Sequence, residues 1–486
     1  MLKELKKESN LTLTQNGAVA YRSSENNCLD LFAFAGALRK APPKRIARLF
    51  ARAYAENPDM AMKILFYARD IKEGLGERQF FRYAIRYAAL KHPESVIKNI
   101  PYISEYGRFD DLVWLIDTPC EKAFAEYISQ QLDKDIADMN DSKPVSLLAK
   151  WLPSVNASNP FVIKRAEYIC KLLGMSQKKY RKMLSALRTY IDILEKRLCK
   201  KDYTFEYEKI PSKALYTYRK AFFRNDTDRY TKFIEDVNSG KTEMKTSSLY
   251  PYDIVRSCGN GILSDEEIKI LDTTWKSLTS FDNGKNAIAV IDGSGSMYWG
   301  YDNEIRPTDI AISLGIYFAE HSKGEFAGHF ITFSETPRLI EIKGKNIYEK
   351  VEYCRSYDEV ANTDIMAVFK LILKTAVDNK LPQEELPEII YIISDMEFDM
   401  QYNSKKTTFE YAKKLFEKSG YRLPAIVFWN VNSKTEQLPA KKDDTGAILV
   451  SGASPSIFKQ VIDNELDPIN FMYSVINSER YNKISA

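Results

Sequence analysis

The spacing of apolar residues changes once along this chain, and the change restricts the folds open to it. From about residue 27 to residue 230, apolar side chains recur at helical intervals. Ala61, Ile64, Leu65, Ala68 and Ile71 fall at i, i+3, i+4, i+7 and i+10, and Phe81, Ala84, Ile85 and Ala88 repeat the stripe. Breakers divide this region: Ala41-Pro42-Pro43, Asn57-Pro58, the Gly74/Gly76 turn, His92-Pro93, Thr118-Pro119, Lys143-Pro144 and Leu152-Pro153. Successive amphipathic helices with short connections predict an α-helical repeat, a HEAT-like solenoid or ring of stacked helix pairs. After Gly284 the pattern becomes one of short β-rich runs, at 287–291, 326–333, 389–393 and 425–429, with a weaker one at 447–450. Helical stretches at 308–321, 364–378 and 404–419 separate them, which predicts a parallel, doubly wound, Rossmann-like α/β sheet covered on both faces. Residues 239–283, with SSLYPYD and the acidic Asp265, Glu266 and Glu267, read as the connection, and the boundary is expected near Phe281. A length of 486 residues exceeds one ordinary core, so two domains are expected, 1–283 helical and 284–486 α/β.

Composition excludes several classes. With 44% hydrophobic and 28% charged residues the chain is expected to fold rather than remain disordered. Its six cysteines are scattered, with no C-x-x-C pair and no histidines at zinc spacing, as in reduced thiols of a cytosol-like compartment. The opening MLKELKKESN has no apolar core and no run is long enough to span a bilayer. A cytoplasmic protein without membrane contact is expected.

Charge is unevenly placed. The net value is +4, but residues 141–260 hold 24 Lys and Arg against 13 Asp and Glu, an excess of 11 that leaves the remainder at −7. Such a segment suits a polyanionic partner. Within it Lys150, Lys164, Arg165, Lys171, Lys178, Lys179, Arg181, Lys182 and Arg188 lie among Trp151, Tyr168, Tyr180 and Tyr190. Cations for phosphates and rings for unpaired bases are what single-strand binding requires. Arg69, Arg78, Arg82 and Arg108 stand apart: they can face a cavity or pair with Glu77, Asp110 and Asp111, and ion pairing is favoured.

The stretch IAVIDGSGSMYWG, residues 288–300, ends an apolar run in an aspartate and a glycine-serine turn. A dinucleotide fingerprint would want glycine where Tyr298 stands, and neither the Gly-Lys-Ser/Thr of a P-loop nor a G-x-S-x-G elbow is present. Asp292, Ser294 and Ser296 alternate in a loop leaving a strand, so their oxygens can converge on one hard cation such as Mg2+. Two further donors are expected at the same sheet edge, Thr363 in Asn362-Thr363-Asp364 and Asp395 after the apolar run IIYIIS.

D-x-S-x-S, then a threonine, then an aspartate after a buried strand resemble the metal-ion-dependent adhesion site of von Willebrand factor A domains. The resemblance implies metal contacts from Ser294, Ser296 and Thr363, with Asp292 and Asp395 bound directly or through water. One position would remain for the carboxylate of a protein ligand. An A domain after a helical array is similar to the Ro autoantigen class, whose helical part is the TROVE module. TQNGAVAYRSSENNCLDLFAFAGALR, RDIKEGLGERQFFRYAIRYA and EYGRFDDL look like stretches of that module. LLAKWLPS, YRKMLSALR, LYPYDIV and SDMEFD resemble a poorly characterised family of the same plan found in bacteria, phages and plants. The Ro resemblance implies a basic helical ring binding single-stranded ends and small structured RNAs. The expected function is therefore non-enzymatic RNA binding with a metal-dependent docking site; the alternative is a metal-dependent protein-interaction or assembly factor without RNA. Glu397 and Asp399 are expected to tune the metal pocket or to keep a loop solvated.

Overall fold

The fold is that of a computed structural model describing residues 9–259, 261–280, 285–299, 304–334, 336–357, 363–400, 406–461 and 467–486, with Met1 and Leu5. It opens on a hairpin that the sequence pattern did not announce, β1 (Leu11–Leu13) against β2 (Val19–Tyr21). Helices follow: Asn27–Ala35, Pro43–Glu56, Pro58–Arg69, Arg78–Lys91, Pro93–Tyr106, Glu121–Asn140, Pro160–Leu172 and Gln177–Tyr190, each packed on the next. Three of the prolines that read as breakers start helices, because a first-turn residue has no intrahelical acceptor for its missing N–H, while Pro119, Pro144 and Pro153 lie in turns or loops. Pro43, Pro58 and Pro93 all occupy that position, and the Asn57 side chain accepts from the Met60 N–H to close its own helix start. Helices Ser212–Asn225 and Thr227–Asn238 form a smaller apolar cluster around Tyr207, Phe222, Tyr230 and Phe233.

The segment expected only to connect is instead a packed seam. It folds as Pro251–Cys258 and Asp265–Lys276, and the apolar side of the first, Ile254, Val255 and Cys258, is buried against helix Pro307–His321 of the C-terminal part. The same segment returns to the start of the array. The Tyr250 hydroxyl donates to the Leu75 carbonyl at 3.4 Å and the Arg39 guanidinium lies over the Tyr252 ring at 5.8 Å. Residues 250–252 thus touch the first part of the helical array.

The C-terminal part is a six-stranded mixed sheet, β3 (Ala287–Asp292), β4 (His329–Phe333), β5 (Leu339–Glu341), β6 (Ile389–Ser394), β7 (Ala425–Asn430) and β8 (Ala447–Ser451), in the order β5-β4-β3-β6-β7-β8. Every pairing is parallel except β4 with β5. The all-parallel expectation fails at that edge for a simple reason: a five-residue link can make a hairpin but not a crossover. β3, β6, β7 and β8 are buried along their whole lengths, as strands covered on both faces must be. The expected boundary near Phe281 lies outside the described residues.

The two parts share one apolar core. Helix Asn27–Ala35 lies on β8, and its end approaches so closely that a Cβ on Gly36 would fall 2.5 Å from the Gly452 nitrogen. Helix Pro468–Ile476 packs back on the first helices, and beyond it Arg480 and Tyr481 bind the fully buried Asp70. Among the described residues no helix is long and apolar enough to cross a membrane.

Candidate functional site

Chain order reverses between β3 and β6, with β4 and β5 on one side and β7 and β8 on the other. Open parallel sheets hold ligands at the carboxyl ends of the strands at such a point. Asp292 ends β3, Ser394 ends β6, and Asp395 follows it. Both aspartates are about 1% exposed. The Ser294 N–H and the Ser394 hydroxyl donate to the two Asp292 oxygens at 2.8 and 2.5 Å. The Ser296 hydroxyl donates to Asp395 at 2.6 Å and lies 3.1 Å from the Ser294 hydroxyl. Four of the five expected ligands are therefore in one hydrogen-bonded group. Burial, and next the charge of Asp395, push the Asp292 carboxyl up to about 7. The Lys434 ammonium stands 3.3 Å from Asp395, and Met396 beside it holds a left-handed φ of +64°, a conformation that costs an L side chain energy.

Thr363 is buried on the neighbouring loop but turned elsewhere. Its hydroxyl is 2.9 Å from both the Glu397 carbonyl and the Asp399 carboxylate, and it accepts from the Asn16 side-chain amide at 2.9 Å. Asn362 lies outside the described residues, and Asp364 caps helix Ile365–Asn379 through the Ala367 N–H. Glu397, expected to tune the pocket or to sit in solvent, is buried and ties three loops together: it accepts from the Gln15 N–H at 2.7 Å and from the Thr435 hydroxyl at 2.6 Å. Sequence reasoning missed Lys434 and Asn16. The first had a signal, since any loop leaving the carboxyl end of a parallel strand belongs on the list of candidates. Asn16 had none, because its hairpin reaches the site from the opposite end of the chain.

The donor set is made of oxygens only, two carboxylates and two hydroxyls, and this fits a hard divalent cation. Asp292, Ser294, Ser296 and Asp395 would hold it, and Lys434 already supplies positive charge at one of these carboxylates, Asp395. Among the described residues no group of three or more His, Cys, Asp and Glu side chains gathers as a metal cluster, at this site or elsewhere.

The expected RNA-binding residues divide into two groups. Lys164, Lys171, Lys178, Lys179, Arg181 and Lys182 are exposed on helices Pro160–Leu172 and Gln177–Tyr190 and make no ion pair with any of the described residues. The others are engaged. Lys150 is 3.6 Å from Glu195, Arg165 is half-buried over Phe161 and Trp114, and Arg188 is spent inside the fold. The Arg188 guanidinium donates to the Ala149 carbonyl, the Ser154 hydroxyl and the Leu152 carbonyl at 2.6–2.7 Å, which takes it off the candidate surface. Of the interleaved rings, Tyr180 is fully buried and Tyr168 binds Glu121, while Trp151 and Tyr190 keep some exposure. Three of the four arginines expected to form ion pairs do so around Asp110 and Asp111; Arg78 has no ion-pair partner among the described residues, and Glu77 pairs with Arg39 instead. Arg69 donates to Asp111 at 2.8 Å, Arg82 bridges both aspartates at 2.6–2.7 Å, and Arg108 binds Asp110 at 2.6 Å. Gly107 makes room for this, since a Cβ there would sit 2.6 Å from the Asp111 carboxylate.

A family described as a domain of unknown function, DUF2828, matches residues 14–123 and 120–283, more than half of the chain. The chain belongs to that family. A second domain of unknown function, DUF7788, matches residues 286–479, so the DUF2828 region ends where the sheet begins. The chain is also similar to "Uncharacterized protein L728" of Acanthamoeba polyphaga mimivirus, at 30% identity over 96% of this chain and 87% of that one. Among solved structures, that of the Deinococcus radiodurans Ro (RSR) protein matches at 12% identity and a TM-score of 0.38, covering 91% of this chain and 100% of that one.

Proposed function

We propose that this chain is a non-enzymatic, cytoplasmic RNA-binding protein of the Ro type. In this reading a TROVE-like helical ring takes small or single-stranded RNA, and a von Willebrand factor A-like domain carries a Mg2+-dependent docking site for a protein carboxylate. The observation that carries RNA binding is the set of six exposed cations without ion-pair partners among the described residues, Lys164, Lys171, Lys178, Lys179, Arg181 and Lys182. Exposed cations that nothing in the fold neutralises bind phosphates by releasing counterions. The non-enzymatic reading is supported by the histidines, which are engaged away from the carboxylates: His92 stacks on Tyr54, and His321 and His329 hydrogen-bond the Tyr317 and Ala327 carbonyls.

The test is affinity for a labelled single-stranded RNA as salt rises from about 50 to about 200 mM, where a protein making several phosphate contacts loses orders of magnitude in affinity. Reversing Lys178, Lys179, Arg181 and Lys182 to Glu should remove most of the binding. Equal binding by that variant sinks the proposal.

The buried carboxylate pair favours a second reading, an assembly factor whose functional centre is the cation. It requires a protein partner lost on Asp292→Ala or on chelation, and purified protein whose ultraviolet absorbance ratio shows no nucleic acid.

A further inference from the structure

Helix Arg78–Lys91 places Arg78, Arg82 and Arg86 at i, i+4 and i+8, along one face. Arg108 and Arg165 approach this face from later elements, and Arg69 lies beneath it. These six guanidinium groups meet three carboxylates, Asp110, Asp111 and Asp117. Asp111 is spent on Arg69 and Arg82, and Asp110 on Arg82 and Arg108. Asp117 acts on Arg165 only from beyond ion-pair distance. Among the described residues Arg78 and Arg165 are thus left with no carboxylate partner, and Arg86 donates only to the Trp114 and Ile116 carbonyls at 3.3 and 3.0 Å.

Arg86 and Arg165 are half-buried and Arg78 is exposed beside them; holding half-buried cations next to other cations without counter-charge costs free energy that a bound anion would return. Burial first, and then neighbouring arginines, lower the proton affinity of both unpaired groups, Arg108 and Arg82 acting on Arg78, and Arg86 on Arg165. Aromatic rings occupy the same place. Arg82 and Arg165 lie over Trp114 at 5.8 and 6.0 Å, Arg108 lies over Trp151 at 4.0 Å, and Arg165 lies over Phe161 at 5.5 Å. Phe161 leaves 67% of its surface in water at the start of helix Pro160–Leu172, which no packing requirement explains.

We infer that Arg78, Arg86 and Arg165 form a phosphate track for a single strand of RNA, with a base of that strand stacked on Phe161. The guanidinium fork matches phosphate geometry, and an exposed ring beside it is the stacking platform that unpaired bases use. The assignment rests on the RNA-binding reading and deepens it, since these residues are separate from the exposed cations of helix Gln177–Tyr190.

The experiment is fluorescence anisotropy of a labelled oligouridylate of about ten nucleotides across a salt series. Five proteins are compared: wild type, Arg78→Ala/Arg165→Ala, Arg78→Lys/Arg165→Lys, Phe161→Ala, and the Lys178/Lys179/Arg181/Lys182→Glu variant, with thermal midpoints confirming that each is folded. The double arginine variant should lose at least about tenfold in affinity, and its log–log salt slope should become shallower by about 1.4, or about 0.7 per phosphate contact. Phe161→Ala should weaken binding about fivefold or more with an unchanged slope. Arg78→Lys/Arg165→Lys should keep the slope and lose affinity, because a lysine retains the charge without the fork. Wild-type affinity and slope in the double alanine variant overturn the site. If the lysine-face variant alone abolishes binding, RNA binding stands and this track falls; if the wild type binds no oligonucleotide at low salt, both fall.

Discussion

Two clusters of unmatched charge, of opposite sign, stand in the two parts of this molecule. At the sheet edge Asp292 and Asp395 are buried together with the Lys434 ammonium beside one of them. On the helical array six arginines share three carboxylates, and among the described residues three of them, Arg78, Arg86 and Arg165, have no ion-pair partner. The settings differ: the acidic pair is closed in by serine hydroxyls, whereas the basic group opens toward an exposed phenylalanine and the solvent-facing lysines. In the proposed reading the first setting takes a small hard cation and the second a long polyanion.

The largest effect is expected where a carboxylate is removed from the basic cluster. Asp111→Ala leaves Arg69 and Arg82 without their buried partner and should destabilise the protein by about 3–5 kcal/mol in denaturant unfolding. A loss below about 1 kcal/mol would show that the cluster tolerates naked charge and would weaken the contrast.

The next prediction concerns pH at the acidic cluster. Because the Asp292 carboxyl is raised in the fold to about 7, its contribution to stability is full below its unfolded value and is lost as pH rises toward 7. Without divalent cations, stability should therefore fall across that window by at most about 1.4 kcal/mol per pH unit from this group. Asp292→Asn should flatten the dependence, and saturating Mg2+ should offset the loss in wild type but not in the variant. Thermal melts over pH, with and without Mg2+, check both statements.

Lys434→Ala removes the ammonium beside Asp395 and should tighten Mg2+ binding by roughly tenfold, or about 1.4 kcal/mol, in calorimetry. Weaker binding would make Lys434 a support of the site rather than a competitor of the cation. The smallest effect belongs to Asn16→Ala, which frees the Thr363 hydroxyl and the Glu397 carbonyl of one donor at a cost of about 1 kcal/mol.

Local pattern exposed the parts of the fold that are built locally. The helical stripes, the strand-helix alternation and the serine-aspartate loop each fit within a short window, and prolines 43, 58 and 93 mark true helix starts. What stayed hidden was made by contacts between distant residues. The hairpin at Leu11–Leu13 and Val19–Tyr21 is short and gains its place from Asp399 and Leu438. Helix Pro251–Cys258 looked like a linker because its apolar side is brief, and its burial depends on a helix some fifty residues later. Arg188 matched a nucleic-acid contact by composition, and only the chain's return over residues 149–154 shows that its donors are taken.

The most direct test of the account is ultraviolet crosslinking of the protein to single-stranded RNA, followed by identification of the crosslinked peptides. We predict crosslinks on the helical array, at Phe161 and the peptides carrying Trp151 and Tyr190, and none on the sheet from residue 285 onward. Crosslinks confined to the sheet, or none from RNA that is demonstrably bound, would contradict it.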